Sequence, residues 1–342
     1  MKIILDAMGG DLAPEAPVLG AIDAVKAYGA EITLVGRGEE ILEVMKKHGI
    51  DDLPEGMEIA NADDVVDMHD DPASVIHKQK NSSMIVGLKM LADGKGDAFV
   101  SAGSTGALLT GATLLVRRIK GIRRAAMAPS MPTKTGGRVI ICDCGANAEC
   151  TPEFLLQFGL VGSAYAKNVF GLENPRVGLL NIGTEDSKGT QLQKDAFTLL
   201  QNAAQKGLIN FTGNVEARSV PLGEVDVVVC DGFSGNILIK YIEGTAMFMG
   251  SMLKKMFKKN LFCNLGYLLC KSGVSDLMKL LDYREIGGTQ FLGIQKPVIK
   301  AHGSSDALAF RNAVRQAMDA AQGNFTAQLE RDLAAMKECD HD

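Results

Sequence analysis

Lys2-Ile3-Ile4-Leu5 runs straight into Asp6-Ala7-Met8-Gly9-Gly10-Asp11, and this junction decides the fold. A short, uninterrupted apolar run bounded by turn residues suits a strand buried on both faces. Beyond it, Pro14 and Pro17 open a segment with helical spacing over Ala16 to Tyr28, where missing N–H groups cost least. The same junction recurs. Ala98-Phe99-Val100 leads to Ser101-Ala102-Gly103-Ser104-Thr105-Gly106, and Val139-Ile140-Ile141-Cys142 to Asp143-Cys144-Gly145-Ala146-Asn147. Val177-Gly178-Leu179-Leu180 leads to Asn181-Ile182-Gly183-Thr184-Glu185-Asp186. Val225-Asp226-Val227-Val228-Val229 leads to Asp231-Gly232-Phe233-Ser234-Gly235-Asn236, and Pro297-Val298-Ile299 to Lys300-Ala301-His302-Gly303-Ser304-Ser305-Asp306. These βα junctions predict an α/β fold with a parallel sheet, whose ligands bind beyond the carboxyl ends of the strands. There Gly lets backbone N–H groups approach an anion, and a helix N-terminus adds partial positive charge. Any one cluster alone reads as ordinary turn and cap chemistry. Together, with Lys300 beside His302 in one of them, they point to a single anion-binding crevice.

Outward from these junctions, Glu31 to Val35 reads as a strand, Glu39 to His48 as a helix, Met57 to Ala60 as a short strand and Ser74 to Leu91 as a helical segment. No internal repeat, low-complexity tract or Pro/Ser-rich linker divides the chain, so residues 1–342 are read as a single α/β catalytic domain. The rhythm breaks over 244–293, which reads as an amphipathic helical excursion. Met249, Met252, Leu253, Met256, Phe257, Asn260 and Leu261 recur at helical spacing, while Lys254, Lys255, Lys258 and Lys259 take the other face. Such a segment could lie in a membrane interface. It could equally be a dimer-forming or core hairpin with a solvated lysine face.

Length bounds the chain to one large α/β domain or two smaller ones, each able to bury a core. With 46% hydrophobic residues, 38 Gly, 5% aromatics and no Trp, the composition is that of a Gly-loop-rich globular protein. It disfavours a carbohydrate or base-stacking platform. A net charge of −5 argues against general nucleic-acid binding. The 7 Cys are odd in number and Cys142/Cys144 lacks a second pair at zinc spacing, so no disulfide framework or metal site is expected and reducing cytosol is the expected compartment. No signal peptide and no apolar stretch of the ~18 residues needed to span a bilayer are expected either.

Asp6-Ala7-Met8-Gly9-Gly10-Asp11, Ser101-Ala102-Gly103-Ser104-Thr105-Gly106-Ala107, Asn181-Ile182-Gly183-Thr184-Glu185, Gly213-Asn214-Val215-Glu216-Ala217-Arg218 and Lys300-Ala301-His302-Gly303-Ser304-Ser305-Asp306 together resemble the bacterial phosphate acyltransferases of phospholipid synthesis, over nearly the full chain. The chain departs from the family pattern at Ser104, where Asn is frequent, and in the variable 261–282 region. The resemblance implies a Rossmann-like α/β/α sandwich of the isopropylmalate dehydrogenase and phosphotransacetylase type, and a homodimer. It implies transfer of a long-chain fatty acyl group from acyl carrier protein to inorganic phosphate, giving acyl-phosphate for a membrane glycerol-3-phosphate acyltransferase. The expected location is cytoplasmic and peripheral to the membrane, with no cofactor.

That reaction needs a phosphate oxygen near the thioester carbon and donors for the oxyanion. It needs no enzyme nucleophile, and a thiol of pKa near ~8.5 leaves with little help. Lys300 is the candidate counter-charge for phosphate and His302 the candidate oxyanion donor or proton shuttle, since period 2 points both side chains the same way. Gly303, Ser304 and Ser305 would add donors at the start of the last helix. Asp231 and Asn236 could orient Lys300 or hold the pantetheine amide. Gly9, Gly10, Ser101, Gly103, Ser104, Thr105, Asn181, Gly183 and Thr184 are expected around the phosphate. Asp6 and Asp11 could join them or simply cap the first loop and helix. Glu185, with Asp186 and Lys188, is either part of the crevice or a surface ion cluster.

Acyl carrier protein is acidic, so its dock should be basic. Arg117, Arg118, Arg123 and Arg124 form one candidate, and Lys254, Lys255, Lys258 and Lys259 another that could instead face anionic lipid. Each is equally a solvated face. Three other functions compete. An NAD-dependent decarboxylating dehydrogenase would need an Asp cluster for a divalent metal near several Arg, which these loops do not supply. A short-chain phosphotransacetylase using acyl-coenzyme A is nearer, and a non-catalytic membrane scaffold would leave Lys300 and His302 without a purpose.

Overall fold

The computed structural model describes residues 1–67, 69–280, 282–323, 329–331 and 333–334, so Leu281 of the excursion lies outside the described residues. In chain order the elements are β1 (Lys2–Asp6), α1 (Glu15–Tyr28), β2 (Glu31–Gly36), α2 (Gly38–Lys47), β3 (Met57–Asn61), α3 (Pro72–Lys78), α4 (Ser83–Ala92), β4 (Ala98–Ser101), α5 (Thr105–Gly111), β5 (Ala126–Ala128), β6 (Ser130–Pro132), β7 (Arg138–Cys142), α6 (Pro152–Phe170), β8 (Arg176–Asn181), α7 (Gln191–Gln205), β9 (Asn210–Glu216), β10 (Val227–Val229), α8 (Gly232–Phe257), α9 (Leu261–Leu280), β11 (Gly288–Leu292), β12 (Val298–Ala301) and α10 (Ala307–Gln322). Every apolar run singled out in the sequence contains a strand.

The strands do not form one sheet. A seven-stranded sheet has the order β3-β2-β1-β4-β12-β11-β5, and a five-stranded sheet the order β6-β7-β10-β8-β9. Three of the Gly-rich junctions, those after β1, β4 and β12, belong to the first sheet; those after β7, β8 and β10 belong to the second. β1, β2, β3, β4 and β12 run parallel, as do β7, β8, β9 and β10. Ile3, Ile4 and Leu5 are fully buried, as are Val227, Val228 and Val229, because helices cover both faces of each sheet.

Three differences from the sequence reading have local causes. The helical segment over 74–91 is two helices, because Gln79–Ser82 turn between α3 and α4 and the Asp71 side chain caps α3. β5 and β6 are missed by pattern, being three residues each and broken by Pro129. The excursion over 244–293 starts inside a 26-residue helix, α8, that begins at Gly232, and ends in a strand, β11, that pairs antiparallel with β12 and β5.

α8 and α9 form a hairpin, with Phe257 and Tyr267 ring centroids 5.3 Å apart. Nothing in α9 is buried: Leu261, Phe262 and Leu269 are more than 80% exposed, and Met249, Met252 and Met256 about half exposed. The core-hairpin alternative therefore fails for the single chain, whose apolar hairpin face lies open beside the lysines. Among the described residues no helix is long and apolar enough to cross a membrane.

Candidate active site

A cavity of about 1130 Å³ opens between the ends of the two sheets, at the upper limit of the ~300–1,000 Å³ typical of small-molecule pockets. Its polar end is built by Asp11, Thr105, Lys300, His302 and Gly303 from the first sheet, faced by Gly145 and by Asn236 of α8. Its apolar lining comes from Met127, Pro129 and Met131 around β5 and β6, and from Ile242, Ala246 and Met249 of α8.

The polar end is shaped by Asp6. Fully buried at the end of β1, it accepts the Ser101 hydroxyl at 2.6 Å and the Met8 N–H at 3.1 Å, while Ser101 Oγ accepts the Gly103 N–H at 3.0 Å. Burial raises the Asp6 carboxyl above its usual range against those hydrogen bonds. Asp6 and Ser101 therefore tie the first junction to the second and stand behind the ligand space. Gly9 is required there: a Cβ would lie 2.7 Å from Asp6 Oδ2 and 2.8 Å from Gly103 N. Gly10 has φ +104, and the Asp11 N–H donates to Gly303 O at 2.8 Å, so the first and last junctions touch. Asp11 is no helix cap, since α1 starts at Glu15 after Pro14; it lines the cavity instead. Ser104 precedes α5 and its side chain accepts no cap hydrogen bond, leaving the first N–H groups of that helix without a side-chain acceptor.

Lys300 is 8% exposed. Its ammonium donates to Ala102 O at 3.2 Å and to Ala301 O, which leaves one of its three protons unassigned among these bonds. Burial lowers its pKa to about 8, opposed by Asp11 and Asp6. His302 Nδ1 accepts the Ser304 N–H at 3.3 Å and lies 2.8 Å from Ser304 Oγ. That partner places the ring proton on Nε2, which becomes a donor. Burial, then Lys240 and Lys300, hold the imidazole below its usual pKa, so it is neutral at pH 7.

Several candidates move. Gly303, Ser304 and Ser305 do not begin the last helix: α10 starts at Ala307, and Asp306 caps it by accepting the Ala309 N–H at 3.0 Å. Ser304 orients His302 instead, and Ser305 is 1% exposed with a hydroxyl that has no partner. Asp231 does not line the cavity. Its two oxygens take the Ser234 N–H at 2.8 Å and the Ser234 hydroxyl at 2.9 Å, which makes it the N-cap of α8. Asn181, Gly183, Thr184 and Glu185 also lie off the cavity wall, because β8 is separated from β7 by β10. Asn181 is occupied by the Ile182 N–H and the Lys188 carbonyl, and Glu185 pairs with Lys188 at 3.8 Å.

The arginine run is set apart from the cavity. Arg118 donates to Arg123 O, Arg124 lies 5.8 Å from the Phe154 ring centroid, and Arg118 and Arg123 line a second pocket of about 650 Å³. Arg117 turns the chain at φ +76. Lys254, Lys255, Lys258 and Lys259 are exposed near the end of α8. Two groups were missed in the sequence. Asp143, fully buried after β7, accepts N–H groups from Met127, Cys144, Ala146 and Asn147 at 2.6–3.3 Å and shapes that junction as Asp6 shapes the first. Lys240 and Glu243 line the cavity four and seven residues after Asn236, a helical spacing that was legible had α8 been traced from its first turn.

Sheets with helices on both faces, whose strand ends converge on a cavity holding a buried lysine, define a Rossmann-like α/β/α protein. Solved structures agree on the fold. A phosphotransacetylase from Streptococcus pyogenes superposes with a TM-score of 0.62 at 19% identity, covering 96% of this chain and 94% of that one. A putative 4-hydroxythreonine-4-phosphate dehydrogenase from Salmonella typhimurium gives 0.54 at 14%, covering 93% and 98%. The family described as Fatty acid synthesis protein matches residues 1–328. The chain belongs to that family. Relatives named Phosphate acyltransferase include one from Alkaliphilus oremlandii, 48% identical over 93% of each chain. Another, from Clostridium acetobutylicum, is 42% identical over 97% of this chain and 99% of its own.

Proposed function

We propose that this chain is a phosphate acyltransferase that moves a long-chain fatty acyl group from acyl carrier protein to inorganic phosphate. A phosphate oxygen held by Lys300 attacks the thioester carbon, and the carbonyl oxygen becomes an oxyanion facing the Nε2–H of His302. The carbon–sulfur bond then breaks and the carrier leaves as a thiolate, which takes up the proton of hydrogen phosphate. Acyl-phosphate and carrier thiol are the products. Placement and fixed dipoles do the work, since orientation alone can supply up to ~7–11 kcal/mol and one oxyanion donor roughly 2.7–4 kcal/mol.

The observation that carries the reading is one cavity lined both by Lys300 and His302 and by the apolar side chains of Met131, Ile242, Ala246 and Met249. That wall favours a long acyl chain over the short group of a phosphotransacetylase. The names of the relatives support the same activity. Because both sheets build the cavity, residues 1–342 work as one catalytic unit. The open hairpin of α8 and α9 suits a homodimer contact or a membrane surface, with Lys254, Lys255, Lys258 and Lys259 toward anionic lipid or the acidic carrier. Arg117, Arg118, Arg123 and Arg124 form a second carrier surface. The product would pass to a membrane glycerol-3-phosphate acyltransferase from a cytoplasmic enzyme resting on that membrane.

The test is a hydroxylamine-trapping assay for acyl-phosphate, comparing acyl-carrier and acyl-coenzyme A donors without added metal or nucleotide. Acyl-phosphate formation dependent on phosphate and faster with the carrier donor is expected. Absence of product with wild type, or undiminished rates in both Lys300→Met and His302→Ala, would overturn the reading.

A further inference from the structure

Asn236, Lys240 and Glu243 stand at i, i+4 and i+7 along α8, and all three line the cavity. That spacing puts them on one face of the helix. Leu238, Ile239, Ile242, Ala246 and Met249 of the same helix add apolar side chains to the wall around them. Lys240 and Glu243 therefore place a cation and an anion on a cavity wall that is otherwise largely apolar along α8. Lys240 Nζ lies 2.8 Å from Glu243 Oε2, with side chains 55% and 42% exposed. An ion pair that open to solvent is held weakly, so the lysine is free to exchange its carboxylate for another anion.

Charges of both signs line the cavity around His302. Lys300 and Lys240 stand against Asp11 and Glu243 on the cavity wall, and each of the four acts on the His302 ring. A dianion brought to Lys300 alone meets one buried ammonium that is already offset by Asp11. A second cation on the facing wall completes the neutralisation.

We propose that Lys240 is that second cation, leaving Glu243 to close on the dianionic phosphate opposite Lys300. The proposal rests on the phosphate acyltransferase reading of the cavity and adds to it a phosphate ligand from the facing helix. Glu243 holds the lysine over the empty site and competes with phosphate for it. The two residues therefore act in opposite directions. Loss of the cation weakens phosphate binding, and loss of the carboxylate strengthens it.

The experiment titrates inorganic phosphate into full-length protein by calorimetry, for wild type, Lys240→Met, Lys240→Arg and Glu243→Gln, beside the KM for phosphate and for the acyl-carrier donor. Lys240→Met is expected to weaken phosphate binding and raise its KM about tenfold or more, the loss of one charge-assisted hydrogen bond. The donor KM stays within about twofold, the split expected when only one substrate loses a contact. Lys240→Arg restores most of the affinity, and Glu243→Gln binds phosphate more tightly than wild type. Unchanged phosphate affinity in Lys240→Met overturns the proposal. So does a change confined to the donor KM, which would make Lys240 a carrier contact. Because the titration needs no turnover, it decides the matter even if wild type forms no acyl-phosphate, a result that would remove the proposed reaction instead.

Discussion

At the end of β1 in the seven-stranded sheet, Asp6 gathers the Ser101 hydroxyl and the Met8 N–H; at the end of β7 in the five-stranded sheet, Asp143 gathers N–H groups from Met127, Cys144, Ala146 and Asn147. The two halves start from the same device and diverge. In the first, the neighbouring strand ends bring Lys300 and His302 to the cavity, and the lysine keeps a proton beyond its bonds to Ala102 O and Ala301 O. In the second, Asp231 is consumed by Ser234, and Asn181 by Ile182 and Lys188. Loop composition marks the end of a buried strand in both sheets. The donors that the loop does not spend on itself mark the site.

Replacing the residues that carry this contrast should separate chemistry from folding. Lys300→Met is expected to produce the largest change, a fall in kcat/KM of about 10²–10³-fold or more, the scale of losing one preorganised charge-stabilising group. Its melting temperature should not fall, because a buried ammonium is exchanged for an apolar side chain of similar length. Asp143→Ala should do the reverse. Stranding several buried N–H groups costs on the order of 3 kcal/mol or more, read as a lower denaturation midpoint.

The next effect is in pH. The Lys300 ammonium is needed to hold phosphate and loses its proton through about pH 8, so kcat/KM for phosphate should fall above that pH, by up to about tenfold per unit. Stability moves the other way. The folded pKa of about 8 lies below the unfolded lysine value of 10.5, so between these values the unfolded chain binds more protons and the folded state gains stability as pH rises. Lys300→Met should lose both dependences. A rate profile that persists unchanged in the variant would show that another group titrates.

The smallest effects belong to the second half. Asp231→Ala should cost about 1 kcal/mol of stability, the worth of an N-cap, and leave kcat within a factor of about two. Asn181→Ala should leave the KM for phosphate unchanged. A large kinetic defect in either would bring Asp231 or the β8 junction into the site and break the comparison.

Much of the fold is legible in the sequence because strands such as Ile3–Leu5 and Val227–Val229 are buried on both faces and appear as bare apolar runs. Lys300 and His302 are legible for a related reason: alternation in β12 sends both to one side while Ala301 faces the core. The division of those strands between two sheets is not legible, since pairing partners lie far apart in the chain and no local signal separates β4–β12 pairing from β7–β10 pairing. Nor could local pattern tell that Asp231 caps a helix while Asp11 lines a cavity. Both are Asp after a strand, and only the position of the next helix start, one residue on for Asp231 and beyond Pro14 for Asp11, distinguishes them.

The central claim is that phosphate binds at the strand ends of the seven-stranded sheet, beside the apolar wall. A crystal structure of the protein soaked in inorganic phosphate tests it most directly. Phosphate oxygens within hydrogen-bonding distance of Lys300 Nζ and the His302 ring, in the shared cavity, are the predicted result. Phosphate at the Asn181–Glu185 loop, with the Lys300 end empty, would contradict the account.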